Sequence, residues 1–180
     1  MKGRILPVAL IALLLITEGL IKTWAVTSLT PGTDQVLIPG LLHLGLTLNP
    51  GMAWGLLSGL SVPLGILRLG AGPVFVAALL SGRSPSGYRW PLALIAAGAL
   101  GNALDGLIRG AVVDYLTMPT LDALSGVLSG RDFPIFNLSD VLVCTGTVWL
   151  LLASSNVRQK SKQRLATNSQ VPHDTSKENL

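Results

Sequence analysis

Apolar residues fall in long blocks along this chain, and polar residues collect between the blocks. The first block, about 5–26, is long enough to cross a bilayer at roughly 20 residues per helical crossing. Further blocks at about 64–80, 90–108 and 138–152 predict three more crossings. The stretch 27–63 is interrupted by Pro31-Gly32, Pro39-Gly40 and Asn49-Pro50-Gly51. Its pieces 35–38 and 41–48 mix alternation with β-compatible residues, which predicts short strands in a flap outside the membrane. Residues 81–89 read as a polar hairpin, and 110–137 as a connection on the opposite side. The expected fold is an all-α membrane protein: four transmembrane helices with a small extracytoplasmic β-containing cradle. Residues 1–154 form the membrane domain, and 155–180 are expected to be a basic, disordered tail.

Composition agrees with this pattern. Of the 180 residues 49% are hydrophobic and 12% charged, against about 25% charged in ordinary soluble domains. Lys and Arg are unevenly placed. Lys2, Arg4, Arg83, Arg89, Arg158, Lys160, Lys162 and Arg164 fall on one side of the predicted membrane. Only Arg68, Arg109 and Arg131 fall on the other. The positive-inside rule then puts both termini and the short hairpin in the cytoplasm. The first block is long and lacks a small-x-small cleavage site, so it reads as a retained helix rather than a removed signal peptide. No aromatic-basic interleaving suggests nucleic-acid binding. Cys144 is the single cysteine, so no disulfide or Cys-based metal site is expected, and it reads as a small buried hydrophobe.

Against this background the carboxylates stand out, because Asp near lipid costs about 2.5–3.5 kcal/mol at a helix centre. Glu18 and Lys22 share a helix face at i,i+4 and should turn inward as a pair. Asn102 and Asp105 end the third block, with Arg109 one turn on; Asp114 lies just beyond it and Asp140 opens the fourth. By the predicted topology Asp114 and Asp140 share the outer membrane face. Two carboxylates meeting in a low dielectric leave an acid beside a base, the arrangement of aspartic proteases. The residues alone leave other roles open: Asp114 as a solvated loop residue, Asp140 as a helix N-cap, Asp105 as a hydrogen-bonded polar group between helices, Asn49 as a turn residue. A relay through Glu18, Lys22, Asp105 and Asp114 in a small membrane carrier is the alternative function.

Four blocks, taken in order, resemble the lipoprotein signal peptidases (signal peptidase II), small bacterial membrane aspartyl proteases with four spans. They are Glu18-Gly19-Leu20-Ile21-Lys22, Asn49-Pro50-Gly51-Met52-Ala53-Trp54, Gly101-Asn102-Ala103-Leu104-Asp105 running to Val112-Val113-Asp114-Tyr115, and Phe136-Asn137-Leu138-Ser139-Asp140. The resemblance implies that Asp114 and Asp140 are the catalytic dyad. Asn49, Gly51, Asn102, Asp105 and Asn137 would line or support the site, with Glu18, Lys22 and Arg109 counted among the substrate-binding or supporting residues. The implied reaction, without metal or organic cofactor, cuts a prolipoprotein just before its diacylglyceryl-modified cysteine. The implied setting is the bacterial cytoplasmic (inner) membrane, with lipid-modified prolipoproteins and the bilayer as partners and a monomeric enzyme. The chain departs from the family pattern at Glu18 (usually Asp), Trp54 (Phe), Ser139 (Ala) and Gly106 (Arg). Arg109 is the candidate to supply the missing cation.

Overall fold

The computed structural model describes residues 2–50, 61–82 and 84–168. Five helices and three strands follow in the order α1 (Lys2–Ser28), β1 (Gln35–Ile38), β2 (Leu42–Asn49), α2 (Ser61–Ser81), α3 (Arg89–Arg109), β3 (Val112–Thr117), α4 (Pro119–Ser129) and α5 (Leu138–Asn168). The protein is mostly helical, with one small antiparallel sheet in the order β1-β2-β3. Among the described residues three helical stretches are long and apolar enough to cross a membrane: Ile5–Ser28, Ser86–Arg109 and Leu138–Ser155. Among the described residues α2 adds a shorter apolar stretch, Leu69–Ser81, which matches the second of the four expected spans in part.

The usual burial order is inverted. Leu20 is 67% exposed, Ile108 73% and Leu151 63%, whereas Glu18 and Lys22 are 2% and 1% exposed. A surface of bare leucine and isoleucine around a buried ion pair suits lipid rather than water as the surrounding medium.

Helix α3 is the hub, packing on α1, α2 and α5. Its inward face is built from small residues (Ala93, Ala96, Ala97, Gly98, Gly101 and Ala103) that let the neighbouring backbones come close. A Cβ on Gly98 would stand 2.8 Å from Val143 Cγ2 and 3.1 Å from Val143 N, so α5 leaves no room for one. Gly110, at φ +73°, ends α3 in the left-handed conformation that favours glycine. Two residues later the chain is already in β3, where Asn49 pairs with Val112, Leu48 with Val113, and Thr47 with Asp114. Leu116 and Phe136 exchange backbone bonds of 2.8 and 2.9 Å, which returns the chain to the sheet just before α5 begins. A second core of Ala25, Leu29, Leu46, Val113 and Tyr115 fills the space between α1 and the sheet.

Strands β1 and β2 lie where the interrupted stretch predicted them. The connection 110–137 is more ordered than expected, holding both β3 and α4. Its run Val112-Val113-Asp114-Tyr115-Leu116-Thr117 is rich in strand-favouring residues. Pro119 in the first turn of α4 and the left-handed Gly130 after its end are matching helix signals. Helix α5 continues to Asn168, well past its apolar part, so the expected disorder from residue 155 is corrected as far as 168. Arg158 to Ala166 contains good helix formers and neither Gly nor Pro, so loss of hydrophobicity does not end the helix. Cys144, expected to be buried, is exposed on α5. Gly51 and Trp54 lie outside the described residues.

Candidate active site

Asp114 sits on β3 with its side chain 3% exposed, and Asp140 occupies the first turn of α5. The strand and the helix end are brought together by Asn137. Its Nδ2 donates to Asp114 Oδ1 at 2.6 Å and to Asn102 Oδ1 at 3.1 Å. Its Oδ1 accepts from the Asp140 backbone N at 3.0 Å, and its own N donates to Asp140 Oδ2 at 3.2 Å. The last two bonds form a reciprocal cap, with Asn137 as the capping residue and Asp140 three positions on. Asp140 is therefore not the N-cap that its position suggested; it is the acid that the cap holds still.

Each carboxylate has a second amide. Asn49 Nδ2, at the end of β2, donates to Asp114 Oδ2 at 3.0 Å, and Asn102 Nδ2 on α3 donates to Asp140 Oδ1 at 2.9 Å. The expected set of Asn49, Asn102 and Asn137 thus converges on the two aspartates. Burial pushes the Asp114 carboxyl from 3.8 up to about 7, with the Asp140 charge adding to the rise. The bonds from Asn49 and Asn137 and the Lys22 charge pull the other way without prevailing.

Beneath the pair lies a cluster of charges. Lys22 Nζ meets Asp105 Oδ2 at 2.8 Å, Asn102 Oδ1 at 3.0 Å and Glu18 Oε1 at 3.3 Å, one acceptor for each of its protons. Asp105 also accepts from the Val113 backbone N at 3.0 Å, fixing the turn from α3 into β3. Its other oxygen is held by Arg109, which also donates to Thr23 Oγ1 at 3.3 Å. Asp105 therefore supports the site from below, and Arg109 is engaged with Asp105 rather than directed at the dyad.

Two residues to which the sequence assigned no role complete the arrangement. Tyr115 Oη donates to Glu18 Oε2 at 2.8 Å, and the buried Ser139 donates both its N and its Oγ to Glu18 Oε1, at 3.2 and 3.1 Å. Burial, followed by the Glu18 charge, raises the Tyr115 phenol far above its ordinary value, so it stays a donor. Each is the chain neighbour of an aspartate. An apolar groove of about 300 Å³, walled by Phe75, Ile95 and Val143, has Asn102 and Asp140 at its polar end. No group of three or more His, Cys, Asp or Glu gathers as metal ligands among the described residues.

This geometry can be compared with known proteins. A family model described as Signal peptidase (SPase) II matches residues 10–156. A lipoprotein signal peptidase of Deinococcus radiodurans is 39% identical over 149 residues, covering 82% of this chain and 78% of the relative. One from Nostoc punctiforme is 33% identical over 151 residues, covering 82% and 88%. Two solved structures, each titled as a bacterial membrane enzyme determined by the in meso method, are 26% identical with TM-scores of 0.71 and 0.67. The first covers 83% of this chain and 87% of its own. The second covers 82% and 90%.

Proposed function

Since the chain belongs to the signal peptidase II family of aspartyl proteases and removes signal peptides from prolipoproteins, we propose that Asp114 and Asp140 are its catalytic pair. The observation that carries this reading is Asn137, whose side chain bonds Asp114 and the backbone of Asp140 together. Burial keeps a proton on Asp114 to about pH 7, so Asp140 is the base of the pair. Asp140 takes a proton from water as the water oxygen attacks the scissile carbonyl, and Asp114 gives its proton to the carbonyl oxygen. On collapse of the tetrahedral intermediate Asp140 returns its proton to the leaving nitrogen, and Asp114 recovers one from the hydroxyl. The nitrogen released is that of the diacylglyceryl-modified cysteine, and the groove beside Asp140 takes an apolar part of the substrate.

The chain is a bacterial membrane protein. We read α2 as a fourth span, both termini as cytoplasmic and the dyad as facing outward, from the placement of Lys and Arg. The carrier alternative needs polar groups spaced through the membrane thickness. Glu18, Lys22 and Asp105 instead form one bonded cluster.

The test is cleavage of a diacylglyceryl-modified prolipoprotein by purified enzyme, followed by mass shift. Asp114→Asn and Asp140→Asn should each abolish it, and cleavage surviving either change removes that residue from the pair. Labelling of a cysteine placed at Ser86 from outside the cell would overturn the orientation.

A further inference from the structure

Both aspartates have a chain neighbour bonded to the same side chain. Tyr115, beside Asp114, donates to Glu18 Oε2, while Ser139, beside Asp140, donates twice to Glu18 Oε1. The bridge is closed again by the Leu138 backbone N, which donates to Tyr115 Oη at 3.2 Å. Glu18 belongs to neither aspartate's element: it stands on α1, 97 positions before Tyr115 and 121 before Ser139. From the geometry we infer that Glu18 is a positioning residue, a clamp that sets the spacing of the catalytic pair through Tyr115 on one side and Ser139 on the other. This rests on Asp114 and Asp140 being the pair.

The chemistry of the clamp explains why a carboxylate is needed. An ionised carboxylate accepts on both oxygens and donates on neither, so one group can receive Tyr115 Oη, Ser139 N and Ser139 Oγ together. Lys22, on the same helix and bonded to Asp105 of α3, stands 3.3 Å from Oε1 and keeps the charge paired in its buried setting. Gly101 of α3 leaves room for the clamp: a Cβ there would meet Ser139 Oγ at far less than contact distance and Glu18 Cγ at 3.6 Å. The titratable groups around Glu18 are Lys22 from α1, Asp105 from α3, Tyr115 with Asp114 from β3, and Asp140 from α5. The clamp touches no reacting atom. It acts through backbone placement, where a displacement of about 1 Å can cost on the order of 100-fold in rate.

Tyr115→Phe cuts one arm, and Ser139→Ala removes the hydroxyl bond of the other while its backbone N bond remains; both leave Glu18 and Lys22 paired, which makes them safer variants than Glu18→Gln. With the enzyme in lipid nanodiscs and a diacylglyceryl-modified prolipoprotein, Tyr115→Phe should lower kcat about 10-fold and Ser139→Ala by less, each with KM nearly unchanged. Each should also displace the upper limb of the kcat–pH profile, which a mere loss of folded enzyme does not do. The double variant should be little slower than the worse single one, because an opened bridge has no second arm to lose. Two wild-type profiles, or losses that multiply in full, would overturn the clamp. Asp114→Asn and Asp140→Asn run in the same assay separate the two ideas. If they still cleave, the dyad reading fails; if they are dead while both hydroxyl deletions keep wild-type kcat and pH profile, only the clamp fails.

Discussion

The glycines of α3 give a prediction whose sign depends on the neighbour. A Cβ placed on Gly101 would collide with one atom, Ser139 Oγ, and would stand at an ordinary 3.6 Å from Ser139 Cβ and Glu18 Cγ. In Gly101→Ala the serine must turn away, giving up its bond to the Glu18 carboxylate, or α5 must move. A hydrogen bond to a charged partner contributes about 1.5–3 kcal/mol, and overpacking costs about 1–3 kcal/mol. Alanine regains about 1 kcal/mol over glycine in a helix interior. The net for Gly101→Ala is thus a loss of up to roughly 2 kcal/mol, combining those ranges. With Ser139→Ala already in place the obstacle is gone, and the same change should be neutral or stabilising by up to about 1 kcal/mol. Gly98→Ala is the control. Its Cβ would run into the backbone carbonyl of Ser139 and into Val143, which truncating Ser139 does not remove. It should destabilise in both backgrounds. The assay is reversible unfolding in a fixed detergent for the four combinations at 101 and 139 and the two at 98. Equal effects of Gly101→Ala with and without Ser139 would refute the packing described for α3 and α5.

Three further predictions follow from the site. Because burial holds the Asp114 proton to about pH 7, kcat should fall as pH rises through about 7, the apparent value belonging to the coupled pair. The same group should shape stability. Its folded value lies above its unfolded value, so the native state holds the proton longer and stability is lost as pH rises from about 4 to about 7, by at most about 4 kcal/mol. Asp114→Asn should abolish that slope in thermal unfolding, and an unchanged slope would count against the raised carboxyl. Asp105→Asn should cost about 3–5 kcal/mol by leaving Lys22 and Arg109 poorly paired and loosening the bond to Val113 N, read as a lower midpoint in the same unfolding assay.

Much of the site was legible in the chain because its chemistry violates the local pattern. An ion pair at i,i+4 and an Asn-x-x-Asp step in apolar helices have no cheap place except inward, and Glu18, Lys22, Asn102 and Asp105 are all buried. Strand β3 was missed because its partner lies far upstream: Val112 pairs with Asn49, and nothing near residue 112 announces that. Asp140 was open to reading as a cap because carboxylates and amides both suit that position; only the bond from its N to Asn137 assigns the roles. Ser139 and Tyr115 carried no signal of their own, since their partner Glu18 stands at the other end of the chain. Arg109 was in the right neighbourhood, and the i,i+4 spacing that pairs Glu18 with Lys22 also hands its guanidinium to Asp105. The tail was misjudged by equating the end of hydrophobicity with the end of helix in α5.

The bonds that tie Glu18 to Ser139, Lys22 to Asn102 and Asn49 to Asp114 span 121, 80 and 65 residues. Such a site has a high contact order, whereas each helix around it is closed by neighbours four residues apart. In biogenesis the two aspartates have no shared geometry until α5 has been made and docked, so proteolytic competence waits for that helix. Under heat or harsh detergent the expected order is the reverse: cleavage should be lost while the helical circular dichroism signal still stands.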